Sequence, residues 1–448
     1  MRIYPPPFEV EDNEGFSPEK DIFGRAELGQ GLGHLLEKVT DPIVLTIDGP
    51  WGSGKSAFLK MWAGFLRQKG FPVVYFDAFE NDYSDDAFTT IASQIIGFVE
   101  EQKKAKTPTG KKFIKSATAT GRVLLRSGLR LGVKIATLNA FDTKELEDAA
   151  DSVADELSGL TDRYVGERLT KHRENIKTFD AFRSALSELP ELLANSDANL
   201  PMVVIIDELD RCRPIYALDL LERIKHFFQV NGVHFVLGAN LEQLQNSVSA
   251  SYGSGIDAKT YLQKFIHLTV PLVDTKEHAH ERIANKYITH LRNVLDFKSE
   301  DNETVHYACE DLVRIAEKNG LTLRDIERSM SNLALACAFS TPRTLRPPPI
   351  IAGLSVMKAI APNLYKKAKQ GTLEYAEVKR LLALGEEENL REASFEEKWW
   401  RFCTDRTVSE EFIRSMSNSL HQYSIWGGPE KIVPLIANKV MDRLTPVS

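Results

Sequence analysis

The chain is poor in the features that mark an exported or membrane-spanning protein. Its four cysteines, Cys212, Cys309, Cys337 and Cys403, lie far apart and form no CxxC pair. That spacing suggests neither a disulfide framework nor a zinc knuckle and points to a reducing, cytoplasmic setting. No stretch of about 18 uncharged apolar residues occurs, so no ordinary transmembrane helix is expected and any membrane role is peripheral. The opening "MRIYPPPFEVEDNEGF" has prolines and acids where a signal peptide needs an apolar run. Repeats and low-complexity tracts are missing, and no Ser-His-Asp or Cys-His constellation can be assembled from spacing. The net charge of −7 argues against a surface that is basic throughout, which leaves nucleic-acid binding to local patches. What remains is a chain of 448 residues, 43% hydrophobic, long enough for two or three domains with cores of their own.

The most informative stretch is "IDGPWGSGKSAF", residues 47–58. Before it, "IVLTI" (43–47) is a short β-branched run, and after it "AFLKMWAGFLRQ" (57–68) has helical spacing. Residues 49–56 match G-x-x-x-x-G-K-[ST], a loop whose backbone amides wrap a polyphosphate. Gly49, Pro50, Trp51, Gly52, Ser53, Gly54, Lys55, Ser56 and Ala57 are therefore the expected nucleotide contacts. In this reading Lys55 reaches the β- and γ-phosphates, the Ser56 hydroxyl ligates Mg²⁺, and the helix N-terminus adds a positive dipole end. Trp51 fits because only backbone atoms touch phosphate at the variable positions, so its side chain is free to face protein or a partner.

A second motif supplies acids. In "MVVIIDELDRCR" (202–213) the apolar run fits a strand buried on both faces of a parallel sheet, with carboxylates at its C-terminal edge, where ligands bind in open α/β sheets. Asp207 is the expected Mg²⁺ carboxylate, and Glu208 the base that orients an attacking water. Asp210 either clamps Arg211 or Arg213 or brings one of them towards the γ-phosphate. A further strand, "VHFVLGAN" (233–240), ends in Asn240, which either senses the γ-phosphate or caps the following helix. No N-K-x-D or T-K-x-D guanine signature follows a strand, which favours ATP.

Taken together, these stretches resemble the KAP family of P-loop NTPases, a branch related to the STAND switches. The resemblance rests on "DIFGRAEL" (21–28), "IDGPWGSGKS", "VVYFDAFENDYSDDAF" (73–88), "IIDELDRCRP" (205–214), "FVLGANLEQL" (235–244), "YLQKFIHLTVPL" (261–272) and "LTLRDIERSMSNL" (321–333), in that order. It implies nucleotide chemistry at Lys55, Ser56, Asp207 and Glu208, and a helical-lid arginine at Arg324. It also suggests bacterial defence against phage as a setting. Asp77 and Phe79 stand where the family usually has Asn and Trp, and Asn240 where Asp is common.

The expected fold is α/β: a P-loop parallel sheet with a helical insertion between the two motifs, then a helical lid and a helical C-terminal region. Lys55 and Asp207 are 152 positions apart (207 − 55), more than a compact core needs, so an insertion is placed at about 100–195. The core spans 1–275, the lid 276–345 and the C-terminal region 346–448. Within the insertion, residues 101–134 hold ten Lys or Arg against one acid, Glu101. Arg122, Arg126, Arg130 and Lys134 fall on one helical side and Leu124, Leu131, Ile135 and Leu138 opposite. Three readings stay open: a solvated helix packed on the core, an interfacial helix on anionic lipid, and a surface for nucleic acid or protein. Adjacent Trp399 and Trp400 suggest that one covers a neighbouring domain or partner, with core packing as the plainer alternative.

The function expected is that of a Mg²⁺-dependent ATPase whose nucleotide state controls assembly, as a homo-oligomer, or partner binding. The alternatives are a nucleotide-gated scaffold with negligible turnover and an ATP-dependent nucleic-acid-binding protein.

Overall fold

A computed structural model of the chain describes residues 1–84, 86–127, 173–194, 200–272, 279–340, 344–385, 390, 392–418 and 428–442. The chain forms two compact units. One comprises Val10–Gly49 and Lys55–Leu272; the other comprises Met1–Glu9, Pro50–Gly54 and Val273–Ser448.

The first unit is built on five parallel strands: β1 (Val44–Asp48), β2 (Val73–Asp77), β3 (Met202–Asp207), β4 (Val233–Ala239) and β5 (Leu268–Pro271), in the order β2-β3-β4-β1-β5. Central β3 and β4 are buried at every residue, as their largely apolar sequences require, whereas edge strand β5 is short and largely exposed. Successive side chains alternate between the faces. On one face Val203, Ile205 and Val236 meet Phe58, Leu59 and Trp62 of α2 (Lys55–Gln68) and Leu32 and Leu36 of α1 (Ala26–Lys38). The Trp62 indole donates to Gly29 O at 2.9 Å and so ties α2 to α1.

On the other face Met202, Val204, Ile206, Phe235 and Leu237 support α3 (Ala87–Glu101), α4 (Pro108–Ser127), α5 (residues 173–187), α6 (Leu189–Leu193), α7 (Pro214–Arg223), α8 (Leu241–Tyr252) and α9 (Ala258–Leu262). The flanks of the expected insertion are thus part of the core. Phe88 of α3 lies 5.2 Å from the Phe182 ring of α5, and Phe113 of α4 lies 5.8 Å from Phe182. In α4, Phe113, Ala117, Thr120 and Leu124 are buried while Lys111, Lys112, Lys115 and Arg122 are exposed. That division agrees with a solvated helix packed on the core for this part of the basic stretch. Residues 128–134, the Arg126 side chain, Ile135 and Leu138 lie outside the described residues.

The second unit is helical: α10 (Ala279–Leu295), α11 (Asn302–Asn319), α12 (Leu323–Phe339), α13 (Pro348–Ile360), α14 (Pro362–Gln370), α15 (Tyr375–Leu381), α16 (Phe395–Thr404), α17 (Glu410–Asn418) and α18 (Ile432–Ile436). One apolar core runs from Ala284 to Met441, so the residues expected as a lid and as a C-terminal region share an interior. A capping box starts α12, with the Thr322 hydroxyl accepting from Asp325 N and the Asp325 carboxylate accepting from Thr322 N. Trp399 and Trp400 are both buried. The first lies edge-on to Phe395 and Phe402, while the second fills the space left by Gly353, where a Cβ would stand 2.4 Å from its ring. Among the described residues no helix is long and apolar enough to cross a membrane.

Phe88 is 1% exposed and contacts the rings of Phe182, Phe227 and Phe228. Phe88→Ala is expected to destabilise the sheet unit by about 3–5 kcal/mol, read as a lower denaturant midpoint. A loss below about 1 kcal/mol would mean that α5 is not part of this core.

Candidate nucleotide-binding site

Strand β1 ends at Asp48, and the chain turns through Gly49 into the loop before α2 begins at Lys55. Gly52 and Gly54 have φ of 77° and 83°, backbone that residues with a Cβ rarely adopt, which is why the loop can fold back tightly. The Lys55 ammonium is buried and donates to Gly49 O at 2.5 Å. Burial lowers its pKa, opposed by the charges of Asp210, Asp207 and Asp48, while the Arg211 cation lowers it further. An ammonium pointed back at its own loop is available to a phosphate that enters there.

The neighbouring hydroxyl of Ser56 lies close enough to Asp207, which is 1% exposed at the end of β3, to influence its charge. Burial raises the Asp207 pKa. The Ser56 hydroxyl pulls it back, as do hydrogen bonds from Glu208 N to Oδ1 at 2.8 Å and from the Tyr75 hydroxyl to Oδ2 at 2.9 Å. Space for this carboxylate comes from β4. A Cβ at Gly238 would stand 2.4 Å from Asp207 Oδ1 and 2.5 Å from Leu59 Cδ1, so only glycine fits.

Beyond Asp207 the strand does not continue. Glu208 turns into the left-handed region at φ 56° and ψ 29° and starts a short 3₁₀ turn, Leu209–Arg211. Its carboxylate pairs with Arg211 Nη2 at 2.8 Å. Burial raises the Glu208 pKa, Arg211 lowers it, and Asp77, Asp207 and Asp210 raise it again. Asp82 clamps Arg213: its carboxylate accepts from Arg213 N at 2.7 Å and Arg213 Nε at 2.9 Å. Asp210 exerts the largest of the carboxylate influences on Lys55.

At the end of β4, Asn240 Oδ1 accepts from Glu242 N and Gln243 N at 3.0 and 3.4 Å, so this atom serves as the cap of α8. The Asp48 carboxylate accepts from Leu241 N at 2.9 Å and fastens β1 to the same helix start. The structure therefore brings Gly49, Lys55, Ser56, Asp207 and Glu208 together at one rim of the sheet. Tyr75, Gly238 and Asp48 belong to the same cluster and were not read from sequence. A glycine inside the apolar run "FVLGAN" was the one available sign of a close approach.

The loop crown, Pro50–Gly54, falls in the second unit. There Leu323 N donates to Gly52 O at 3.1 Å, and a Cβ at Gly52 would stand 3.1 Å from Arg324 Cβ. Trp51 is 46% exposed and Ser53 is buried.

The donor set suits magnesium. Ser56 offers a hydroxyl and Asp207 a carboxylate, both hard oxygens, and a buried carboxylate whose charged form is disfavoured gains from a bound cation. Among the described residues no group of three or more His, Cys, Asp or Glu is arranged to hold a metal by itself. Gly238→Ala is expected to displace Asp207 and Leu59, lower stability by about 1–3 kcal/mol and abolish Mg²⁺-dependent nucleotide binding. Titration with a fluorescent ATP analogue checks this, and unchanged Mg²⁺-dependent affinity would show that the space at Gly238 is not needed.

The KAP family P-loop domain matches residues 30–338 of this chain. No curated protein matches it. Among the solved structures that match, two align along most of their lengths. The ORC2 protein of Aeropyrum pernix, solved in ADPNP-ADP complexes, is 11% identical with a TM-score of 0.36 and covers 98% of this chain and 97% of its own. A DNA replication initiation factor is 10% identical with a TM-score of 0.27, covering 94% and 95%. Likenesses at that level carry no argument about function. The family match spans well over half the sequence and contains the loop, β3 and β4 described above, and the chain belongs to the KAP family of P-loop NTPases.

Proposed function

We propose that the chain binds ATP with Mg²⁺ and hydrolyses it, using the nucleotide state to change its assembly or its contact with a partner. The observation that carries this reading is the meeting of the Ser56 hydroxyl and the Asp207 carboxylate at one rim of the sheet, beside the buried Lys55 ammonium. In P-loop enzymes a hydroxyl and an acid of this kind hold the ion, and a lysine of this kind holds the phosphates. Bound there, Mg²⁺ would neutralise charge on the phosphate oxygens. Lys55 releases Gly49 O and donates to the β- and γ-phosphates, and the loop amides of Gly49–Ser56 enclose them. Glu208 orients the attacking water. Arg324, beside Gly52 within its unit, is assigned a phosphate contact, and the Asn240 amide a weaker γ-phosphate contact. ATP is preferred to GTP because no guanine motif follows a strand.

A second reading, a switch with negligible turnover, draws support from the ion pair that holds Glu208 in this structure. Phosphate release with Mg²⁺, measured beside the oligomeric state in ATP and in ADP, separates the two.

Three variants test the assignment of roles. Lys55→Ala is expected to lose nucleotide binding. Glu208→Gln is expected to bind ATP but release phosphate about 10²–10⁴-fold more slowly. Arg324→Ala is expected to slow phosphate release with ADP affinity retained. Undiminished turnover in the glutamine variant would remove Glu208 as the base.

A further inference from the structure

The turn after β3 places two arginines beside the site, and their surroundings differ. Arg213 is committed: its backbone amide and Nε both donate to Asp82, and its Nη2 donates to the Asp82 and Ser84 carbonyls. Arg211 is one third exposed and pairs with Glu208 across a single turn, in which Arg211 N also donates to Glu208 O at 3.1 Å. Glu208 adopts a left-handed backbone conformation that is uncommon for a residue with a long side chain. The Arg211 cation is close enough to the phosphate-binding amine to depress the pKa of Lys55. It is thus paired with the residue expected to activate water and within electrostatic reach of the amine expected to hold the terminal phosphate.

We propose that Arg211 exchanges partners with nucleotide state: it holds the Glu208 carboxylate when no nucleotide is bound and turns to the terminal phosphate of a bound triphosphate, freeing Glu208 for the attacking water. This inference rests on the ATP-binding reading above. The exchange follows from competition between anions. A guanidinium matches phosphate oxygens in a bidentate fork, and a terminal phosphate carries more charge than one carboxylate. A diphosphate lacks the group that draws Arg211 away, so the pair with Glu208 persists. The ion pair is then a latch that reports whether the third phosphate is present, and it ties the readiness of the base to the identity of the nucleotide. Removing the carboxylate charge frees the arginine in advance, which sets the sign of the test.

Equilibrium binding of a non-hydrolysable ATP analogue and of ADP, both with Mg²⁺, is compared in wild type, Glu208→Gln, Arg211→Gln and the double variant. Glu208→Gln is expected to tighten the triphosphate analogue about fivefold or more, and Arg211→Gln to weaken it about tenfold. In the double variant the tightening should vanish, and ADP affinity should stay within about twofold throughout, which also reports that each variant is folded. If Glu208→Gln tightens the analogue equally with or without Arg211, the gain is relief of carboxylate repulsion alone and the exchange is wrong. Equal weakening of ADP and the analogue by Arg211→Gln overturns it too. Wild type that binds neither ligand would bring down the ATP reading as well, whereas normal binding with an uncoupled Arg211 brings down this inference alone.

Discussion

A carboxylate taken almost wholly out of water is the constraint around which the site is arranged. Asp207 is 1% exposed, and burial of a charge is costly unless hydrogen bonds or a counter-charge replace its hydration. Here the replacements come from separate elements: the Ser56 hydroxyl from the start of α2, the Tyr75 hydroxyl from β2 and the amide of Glu208 from the next turn. Each fixes the carboxylate against a different part of the sheet rim. Its pKa nonetheless remains raised, so the environment is still short of positive charge. Lys55 supplies part of that deficit, and a divalent ion would supply more.

Sheet order makes the arrangement sterically feasible. Because β4 lies between β1 and β3, the acids at the ends of β1 and β3 do not abut, and the strand between them contributes a glycine where any larger residue would strike Asp207. The same strand end starts α8, whose first amides are taken by Asn240 and by Asp48 from β1. The rim is thus held by hydrogen bonds between neighbouring strands as well as by the apolar faces beneath it. Polar satisfaction of this kind leaves little freedom for the carboxylate, a prerequisite for a site that discriminates by charge.

Much of this was legible in the sequence. An apolar run ending in acids announces a central parallel strand, and the glycine-lysine-serine loop between a β-branched run and a helical pattern announces its own geometry. Both the parallel α/β sheet and the family follow from these local signals. Other parts depend on partners far away along the chain. Tyr75 reads as one aromatic in a strand until β2 lies beside β3, and Gly238 reads as a weak spot until Asp207 faces it. Phe113 and Phe182 belong to the stretch that the spacing of the two motifs marked as an insertion, and both are fully buried on the sheet. Adjacent Trp399 and Trp400 left a neighbouring domain or partner open beside plain core packing, and Phe402 and Gly353 receive them within one core. The pairing of Glu208 with Arg211 depends on a left-handed residue, which no periodicity rule anticipates.

The central claim is that Ser56 and Asp207 jointly hold the ion that accompanies the nucleotide. The most direct measurement is ATP affinity with and without Mg²⁺ in wild type and in Asp207→Asn, whose amide keeps the shape but not the charge. The account predicts that Mg²⁺ tightens ATP binding to wild type about tenfold or more and leaves the asparagine variant unaffected. Equal tightening in both proteins would contradict it.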